Sequence, residues 1–90
     1  MGLSEELFKK YFDDSKYFIN CDDFEWECEV CSNIFFVNNV EFYDVDIVRI
    51  NDESHLVLLG KGGVLLAKIN LSLISSLSVE IHSIRTETIF

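Results

Sequence analysis

The most distinctive chemistry in this sequence is a set of carboxylates that recur at every second position. Asp23, Glu25, Glu27 and Glu29 follow this spacing, and apolar residues alternate with them. Because side chains two residues apart lie on the same face of a β-strand, we expect these four in one row, about 6.6–6.8 Å from one to the next. Such a row resembles the regular negative charges of a nucleic-acid backbone. It predicts a surface that mimics nucleic acid or complements a basic protein surface.

The acidic residues are concentrated in the front half of the chain. Residues 1–53 contain 14 Asp and Glu against four Lys and Arg, a balance of −10, whereas residues 54–90 contain two against three, a balance of +1. A requirement for solubility alone would spread the charge more evenly. We therefore expect the carboxylate row to contact a partner. Three further carboxylates support this predicted contact surface: Glu41, Asp44 and Asp46.

A purely structural explanation of the carboxylate row stays open. Charged side chains protect an edge strand from pairing with another chain, and every half-buried strand has a polar, solvated face. Against this, crowded like charges cost stability and do not hold a fold together. The sequence alone does not decide between edge protection and partner binding.

The three cysteines suggest a metal site only weakly. Cys28 and Cys31 have the two-residue spacing of a zinc knuckle, and Cys21 could be a third ligand, but a second such pair is missing. Cys28 falls on the apolar face of its expected strand, where a thiol packs as a small hydrophobe. An odd cysteine count is also awkward for a secreted disulfide scaffold. We expect inert thiols and no cofactor, with a zinc site or a redox pair as the alternatives.

Catalytic chemistry finds little support. A nucleophilic pair could combine Cys21 or Cys31 with His55 or His82, but nothing local marks an activated thiol. The segment 60–63, Gly-Lys-Gly-Gly, lacks the phosphate-loop pattern and precedes a β-rich run, so it predicts a hairpin turn. We therefore expect a protein that is not an enzyme.

The first element is expected to be a helix over about residues 4–13. Ser4 is suited to cap it, and Glu5 and Glu6 follow where the helix dipole favours carboxylates. One apolar stripe then recurs at helical spacing: Leu7, Phe8, Tyr11 and Phe12. The pattern predicts a helix that packs on the rest of the domain.

From about residue 17 onward the apolar pattern has the two-residue period of β-strands. Strands are expected at 24–30, 34–37, 40–50, 55–59, 64–70 and 77–84, with a one-turn helix at 71–75. A slip of parity within 40–50 predicts a bulge or a strong bend, and a second bulge is expected near 82–83. The fold class is therefore mostly β (α+β). We expect one domain, 1–90, in which the helix packs on a strongly bent antiparallel sheet or small barrel of five to six strands.

Residues 40–84 follow the order strand, tight turn, strand, Gly-rich turn, strand, one-turn helix, strand. The segments that carry this order are Val45-Asp46-Ile47-Val48-Arg49-Ile50, Leu56-Val57-Leu58-Leu59-Gly60, Val64-Leu65-Leu66-Ala67 and Leu71-Ser72-Leu73-Ile74-Ser75-Ser76-Leu77-Ser78-Val79. In this order, about half of the chain resembles the small Sm-like and SH3-like β-barrels. The resemblance implies a barrel, and it brings no RNA-binding residues with it.

Charge and hydropathy argue against two classes of partner. Phosphate contacts need a basic face, which a net charge of −9 does not favour, so direct nucleic-acid binding is not expected. No apolar run approaches the roughly 18 residues of a membrane span, and the first residues lack the pattern of a signal peptide. We expect a cytoplasmic protein that contacts neither nucleic acid nor a membrane.

In size and charge the chain resembles small acidic inhibitors encoded by phages and bacterial toxin-immunity proteins. We therefore expect a non-enzymatic protein that inhibits a partner by covering its basic, nucleic-acid-binding surface. The alternative is a self-assembling small β-barrel with a structural or small-ligand-binding role. It rests on the back half, which is rich in Leu, Ile and Val and whose edge strands could pair between copies.

Overall fold

A computed structural model describes residues 6, 9–10, 18–22, 26–31, 34–51, 54–81 and 85–88. Nine strands follow in chain order: β1 (Phe18–Asp22), β2 (Glu27–Val30), β3 (Ile34–Val37), β4 (Val40–Tyr43), β5 (Ile47–Asn51), β6 (His55–Leu59), β7 (Leu65–Asn70), β8 (Leu77–Ile81) and β9 (Arg85–Thr88). Two one-turn 3-10 helices, Lys61–Gly63 and Leu71–Leu73, flank β7. No helix in these ranges is long and apolar enough to cross a membrane.

The strands form two antiparallel sheets. Sheet A has the order β1-β2-β5-β6-β7, and sheet B has the order β4-β3-β8-β9. The chain passes between the sheets after β2, after β4 and after β7. At the end of β7 the one-turn helix Leu71–Leu73 carries it across to β8, which confirms the expected helical turn in this region.

One hydrophobic core lies between the sheets and takes residues from both. Sheet A contributes Cys28, Val48 and Leu58, and sheet B contributes Phe35 and Val79, all of them fully buried. The alternation of the sequence explains the two faces of β2, which lies between β1 and β5. Trp26, just before the strand, and Cys28 are buried, whereas Glu29 on the opposite face is exposed. The rings of Phe18 and Phe35 join the two sheets edge to face, with centroids 6.0 Å apart.

The run 40–50 is two strands rather than one bulged strand. It is divided between sheet B and sheet A by the crossover Asp44–Val45–Asp46. Asp44 has a φ of 57°, a left-handed conformation that Asp tolerates better than most residues, and Val45 is buried at the core. The slip of parity therefore marks a change of sheet.

The turn at Asn38 and Asn39 is confirmed as the link between β3 and β4. Both residues have positive φ, 51° and 66°, as a tight two-residue hairpin requires. Asn38 also accepts a hydrogen bond from the backbone N–H of Ser75 at 2.7 Å and donates one to the carbonyl of Leu73 at 2.9 Å. The turn therefore fastens the segment that leads from sheet A into β8.

The expected helix over about residues 4–13 is wrong. Glu6, Lys9 and Lys10 have helical backbone, but no helix in the described part of the chain reaches seven residues. Helices this short are marginal in water and depend on burial of an apolar face. The described core begins only at Phe18. Ser4 and the apolar stripe on which the prediction rested lie outside the described residues.

The expected mostly-β, antiparallel architecture is confirmed. The expected number of five to six strands in one sheet or barrel is wrong, because there are more strands and they form two sheets. The described residues form five strands in one sheet and four in the other. Two short end strands, β1 and β9, were not expected, and the crossover at Asp44 adds one more. Of the expected strand 24–30, the part 27–30 is described as β2; the bulge expected near 82–83 lies outside the described residues.

Candidate acidic binding surface

Two of the four carboxylates in the expected row can be placed. Glu27 and Glu29 project from the outer face of β2, whereas Asp23 and Glu25 lie outside the described residues. β2 is an interior strand, paired with β1 on one side and β5 on the other. Protection of a sheet edge therefore does not explain these two carboxylates.

Glu27 is neutralised by an arginine of the same sheet. Arg49 on β5 lies directly opposite Glu27, donates from Nε to Glu27 Oε1 at 2.8 Å, and bonds the same oxygen through Nη2. The two side chains are 45% and 35% exposed, so this is a surface ion pair worth roughly 0–1 kcal/mol. The main effect of the ion pair is that the positive charge of Arg49 offsets one of the four negative charges of the expected carboxylate row.

Glu29 pairs with a neutral side chain and not with a cation. The side-chain amide of Asn20 on β1 donates to Glu29 Oε2. Asn20 has a φ of 52° and lies where the register between β1 and β2 shifts. The cross-strand neighbours of Glu29 are Ile19 and Ile47, so this carboxylate stands in an apolar row on the outer face of sheet A.

A second acidic group lies on the outer face of sheet B. Tyr43 on β4 and Glu80 on β8 are both opposite Ile34 on β3, which places their backbones roughly 10 Å apart, two strand spacings. The Tyr43 hydroxyl donates to the Glu41 carboxylate. That hydrogen bond, then the negative charge of Glu41, and more weakly that of Glu80, raise the pKa of Tyr43 above its usual 10.0.

Asp44 and Asp46 continue the negative charge from sheet B to sheet A. Both are exposed and flank the buried Val45 in the crossover. The backbone fixes Asp46, because its carbonyl accepts from Val30 N–H at 2.9 Å and its N–H donates to the Leu59 carbonyl at 2.8 Å. The next residue, Ile47, lies opposite Glu29. The crossover therefore links the carboxylates of the two sheets.

We call the set of carboxylates that extends from the outer face of sheet B through the crossover to the outer face of sheet A the acidic surface: Glu29, Glu41, Asp44, Asp46 and Glu80. Within the described part of the chain none of them forms an ion pair with a Lys or Arg. Of the seven expected contact residues, Glu29, Glu41, Asp44 and Asp46 belong to this set, Glu27 is paired with Arg49, and two lie outside the described residues. The sequence analysis missed Glu80. Its position on the same face as Tyr43 follows only from the register in which β3 pairs with β4 on one side and with β8 on the other.

The expectation of three unpaired thiols is corrected by a disulfide between Cys21 and Cys28, which ties β1 to β2. Cys31 is a free, exposed thiol. Two of the three possible zinc ligands are therefore used in the disulfide, and no group of three metal-ligating side chains occurs among the described residues. Disulfides are typical of oxidising compartments, so the cytoplasmic location stays a prediction that this bond does not favour.

The hypothetical Cys–His pair is not assembled among the described residues. His55 begins β6 and contacts Ser54 Oγ through Nδ1 at 2.9 Å. Cys31 follows β2 near the opposite end of sheet A, where Val30 bonds Asp46. Cys21 is held in the disulfide, and His82 lies outside the described residues.

Comparisons of this chain with protein-family models, with curated proteins and with solved structures found no match.

Proposed function

We propose that this protein is a non-enzymatic binding protein whose acidic surface docks on the basic surface of a partner protein. The observation that carries the proposal is that the five carboxylates of the acidic surface lack ion pairs within the described chain, two of them in the crossover and three on strands of the two sheets that it joins. Residues 17–48 contain eight Asp and Glu and no Lys or Arg, so local cations along the chain do not compensate them. Concentrated charge of one sign opposes folding and favours a complementary partner.

The outer face of sheet B adds what a protein interface needs besides charge. Tyr43 is 58% exposed beside Glu41, and the half-buried Ile34 and Phe36 lie between β4 and β8 on the same face. Protein interfaces are enriched in aromatic residues and have an apolar centre within a polar rim. The carboxylates then act as the rim that steers association, and the aromatic and aliphatic side chains supply the contact area.

A basic protein surface that accepts several carboxylates is also suited to phosphates. We therefore propose inhibition as the biological role: the acidic surface covers a nucleic-acid-binding site. That Asp23, Glu25 and Glu27 contact the partner stays a prediction. We expect Glu27 to contribute least to partner binding, because Arg49 compensates its charge.

The test is capture of the partner on immobilised wild type and on E41Q/E80Q, at low and at high salt. The Debye length falls from about 10 Å at 0.1 M to about 3 Å at 1 M salt, so high salt should release the partner from wild type. E41Q/E80Q should lose it even at low salt, and added nucleic acid should compete with wild type for it. E6Q is the control, because Glu6 is exposed and remote in sequence from the acidic surface.

Equal capture by wild type and E41Q/E80Q at both salt concentrations would exclude the acidic surface as the binding site. Capture that nucleic acid does not affect would keep the binding surface but exclude inhibition at a nucleic-acid site.

A further inference from the structure

One row of side chains crosses all five strands of sheet A on its outer face. The strand register places its members directly opposite one another, in order from β1 to β7: Ile19, Glu29, Ile47, Leu59 and Leu65. Their chain neighbours Cys28, Val48 and Leu58 are fully buried on the other face of the sheet, in the core. At 4.7–4.9 Å per strand the row is roughly 19 Å wide.

The row is apolar except for Glu29, and its two ends are open to solvent. Ile19 is 43% exposed and Leu65 is 59% exposed, whereas Ile47 and Leu59 between them are half-buried. Aliphatic side chains that are exposed at both ends of one row form a surface suited to contact with another protein.

Charged residues border the row on both sides. The next row on the same face contains the Glu27–Arg49 ion pair and Lys68. At the other side, Lys61 is exposed in the turn that follows β6. An apolar centre within a charged border is the usual arrangement of a protein interface.

The surface is complementary to a second copy of itself. β5 is the central strand of sheet A, so a two-fold axis parallel to β5 exchanges β1 with β7 and β2 with β6. This axis stacks Ile19 of one copy on Leu65 of the other. It also brings Glu29 over the end of β6 in the other copy, where Lys61 follows Leu59 by two residues.

Charge selects this axis over the alternative. A two-fold axis in the plane of the sheet but perpendicular to the strands would stack each strand on its own copy. Glu29 would then face Glu29 inside an apolar contact, and like charges that meet in an interface oppose association.

We propose that two copies of this chain form a closed dimer by stacking the outer faces of sheet A about the two-fold axis parallel to β5. Stacked sheets keep their strand directions within about 30° of each other, which this axis allows. The same patch is used by both copies, so assembly ends at two. The dimer is independent of partner binding through Glu41 and Glu80, because these residues lie on the outer face of sheet B.

Sedimentation velocity over a concentration series tests the dimer, with Cys31 alkylated so that disulfides between copies do not contribute. Wild type should pass from monomer to dimer as its concentration rises. L65K should raise the dimer dissociation constant about tenfold or more, because each dimer would bury the added charge twice. L73K is the matched control: Leu73 is 68% exposed but lies in the one-turn helix after β7, so this variant should dimerise like wild type.

A charge exchange tests the direction of the axis. K61E places a carboxylate near Glu29 of the other copy, and E29K places a lysine near Lys61, so each single variant should weaken dimerisation several-fold. E29K/K61E has the net charge of wild type and restores opposite charges at both contacts, so it should dimerise nearly as well as wild type. Both positions are exposed, and thermal unfolding of each variant checks that it is folded.

A wild type that stays monomeric at every concentration overturns the proposal. Species larger than a dimer, or an L73K variant that dimerises as weakly as L65K, would do the same. If E29K/K61E dimerises no better than the single variants, Glu29 does not meet Lys61 and the axis is wrong.

Discussion

Arg49 lies directly opposite Glu27 on the neighbouring strand and donates to its carboxylate from both Nε and Nη2. This contact divides the expected row of negative charge on β2. The compensated part lies in the middle of sheet A, and the carboxylates that have no ion pair with a described residue lie in the crossover and on β2, β4 and β8. The acidic surface is therefore displaced from the strand whose sequence pattern first suggested it.

Removal of Arg49 should strengthen binding of a basic partner. R49Q leaves Glu27 without its cation, so the outer face of sheet A becomes more negative and partner affinity at low salt should rise a few-fold. The free energy of unfolding should fall by less than about 1 kcal/mol, as for other surface ion pairs. The control is K10Q, which removes one exposed positive charge elsewhere. An equal gain in affinity for K10Q would mean that only net charge matters.

The titration of Tyr43 should report the contact with Glu41. Because Tyr43 donates to a carboxylate, its neutral form is favoured and its pKa lies above 10.0. E41Q should lower the pKa of Tyr43 towards its ordinary value, and E80Q should lower it less, because Glu80 acts only through its charge. Ultraviolet absorbance against pH, with Y43F identifying the signal, gives the measurement.

The same pKa fixes the sign of a pH dependence. Since the folded-state pKa of Tyr43 is raised above the unfolded value, its contribution to stability is complete below about pH 10. It is lost as pH rises through the folded-state value. E41Q should reduce this alkaline loss; a Tyr43 titration that is identical in wild type and E41Q would rule out the hydrogen bond.

Asn38 should be the more sensitive of the two turn asparagines. Its side chain bonds the backbone at Leu73, Ser75 and Ser76, and it also has positive φ. N38A should therefore lower the free energy of unfolding by about 2–3 kcal/mol, from lost hydrogen bonds and left-handed strain together.

N39A is the control for that substitution, because Asn39 has positive φ and its side chain forms no hydrogen bond within the described part of the chain. N39A should lower the free energy of unfolding only by the strain of a left-handed alanine, about 1 kcal/mol. Chemical denaturation measures both variants, and equal losses would show that the Asn38 side-chain bonds contribute nothing.

The disulfide should stabilise the domain. Cys21 and Cys28 are seven residues apart, and closing such a loop in the unfolded chain is worth about 2.5 kcal/mol in the chain-entropy account. Reductant should lower the Tm of wild type, whereas C21A should have a low Tm that reductant does not change. C31A, which removes the free thiol, should respond to reductant like wild type. A wild-type Tm that is insensitive to complete reduction would show that the bond does not stabilise the fold.

Patterns within a few residues of the sequence correctly predicted individual strands and turns. The alternation of Trp26 and Cys28 with glutamates gave β2 its buried and exposed faces, and paired asparagines gave a hairpin turn. β1 could not be predicted in the same way, because Asn20 takes a left-handed conformation and shifts the register. Without β1 opposite β2, nothing in the sequence placed Cys21 beside Cys28.

The candidate site depended on contacts between residues far apart in the chain. Glu27 meets Arg49, 22 residues away, only because β2 pairs with β5 in one register. Glu80 joins Tyr43 only through Ile34 between them. Sequence spacing identified the carboxylates, but strand order decided which of them form an ion pair within the described part of the chain.

The most direct test compares the affinity of the captured, purified partner for two double variants of equal net charge. E41Q/E80Q removes two carboxylates of the acidic surface, and E6Q/E27Q removes one remote carboxylate and one that Arg49 already compensates. We expect E41Q/E80Q to weaken binding at low salt by about tenfold or more, in line with close charge pairs across interfaces, and E6Q/E27Q by less than about threefold. Equal losses, or a greater loss in E6Q/E27Q, would contradict the assignment of binding to the acidic surface.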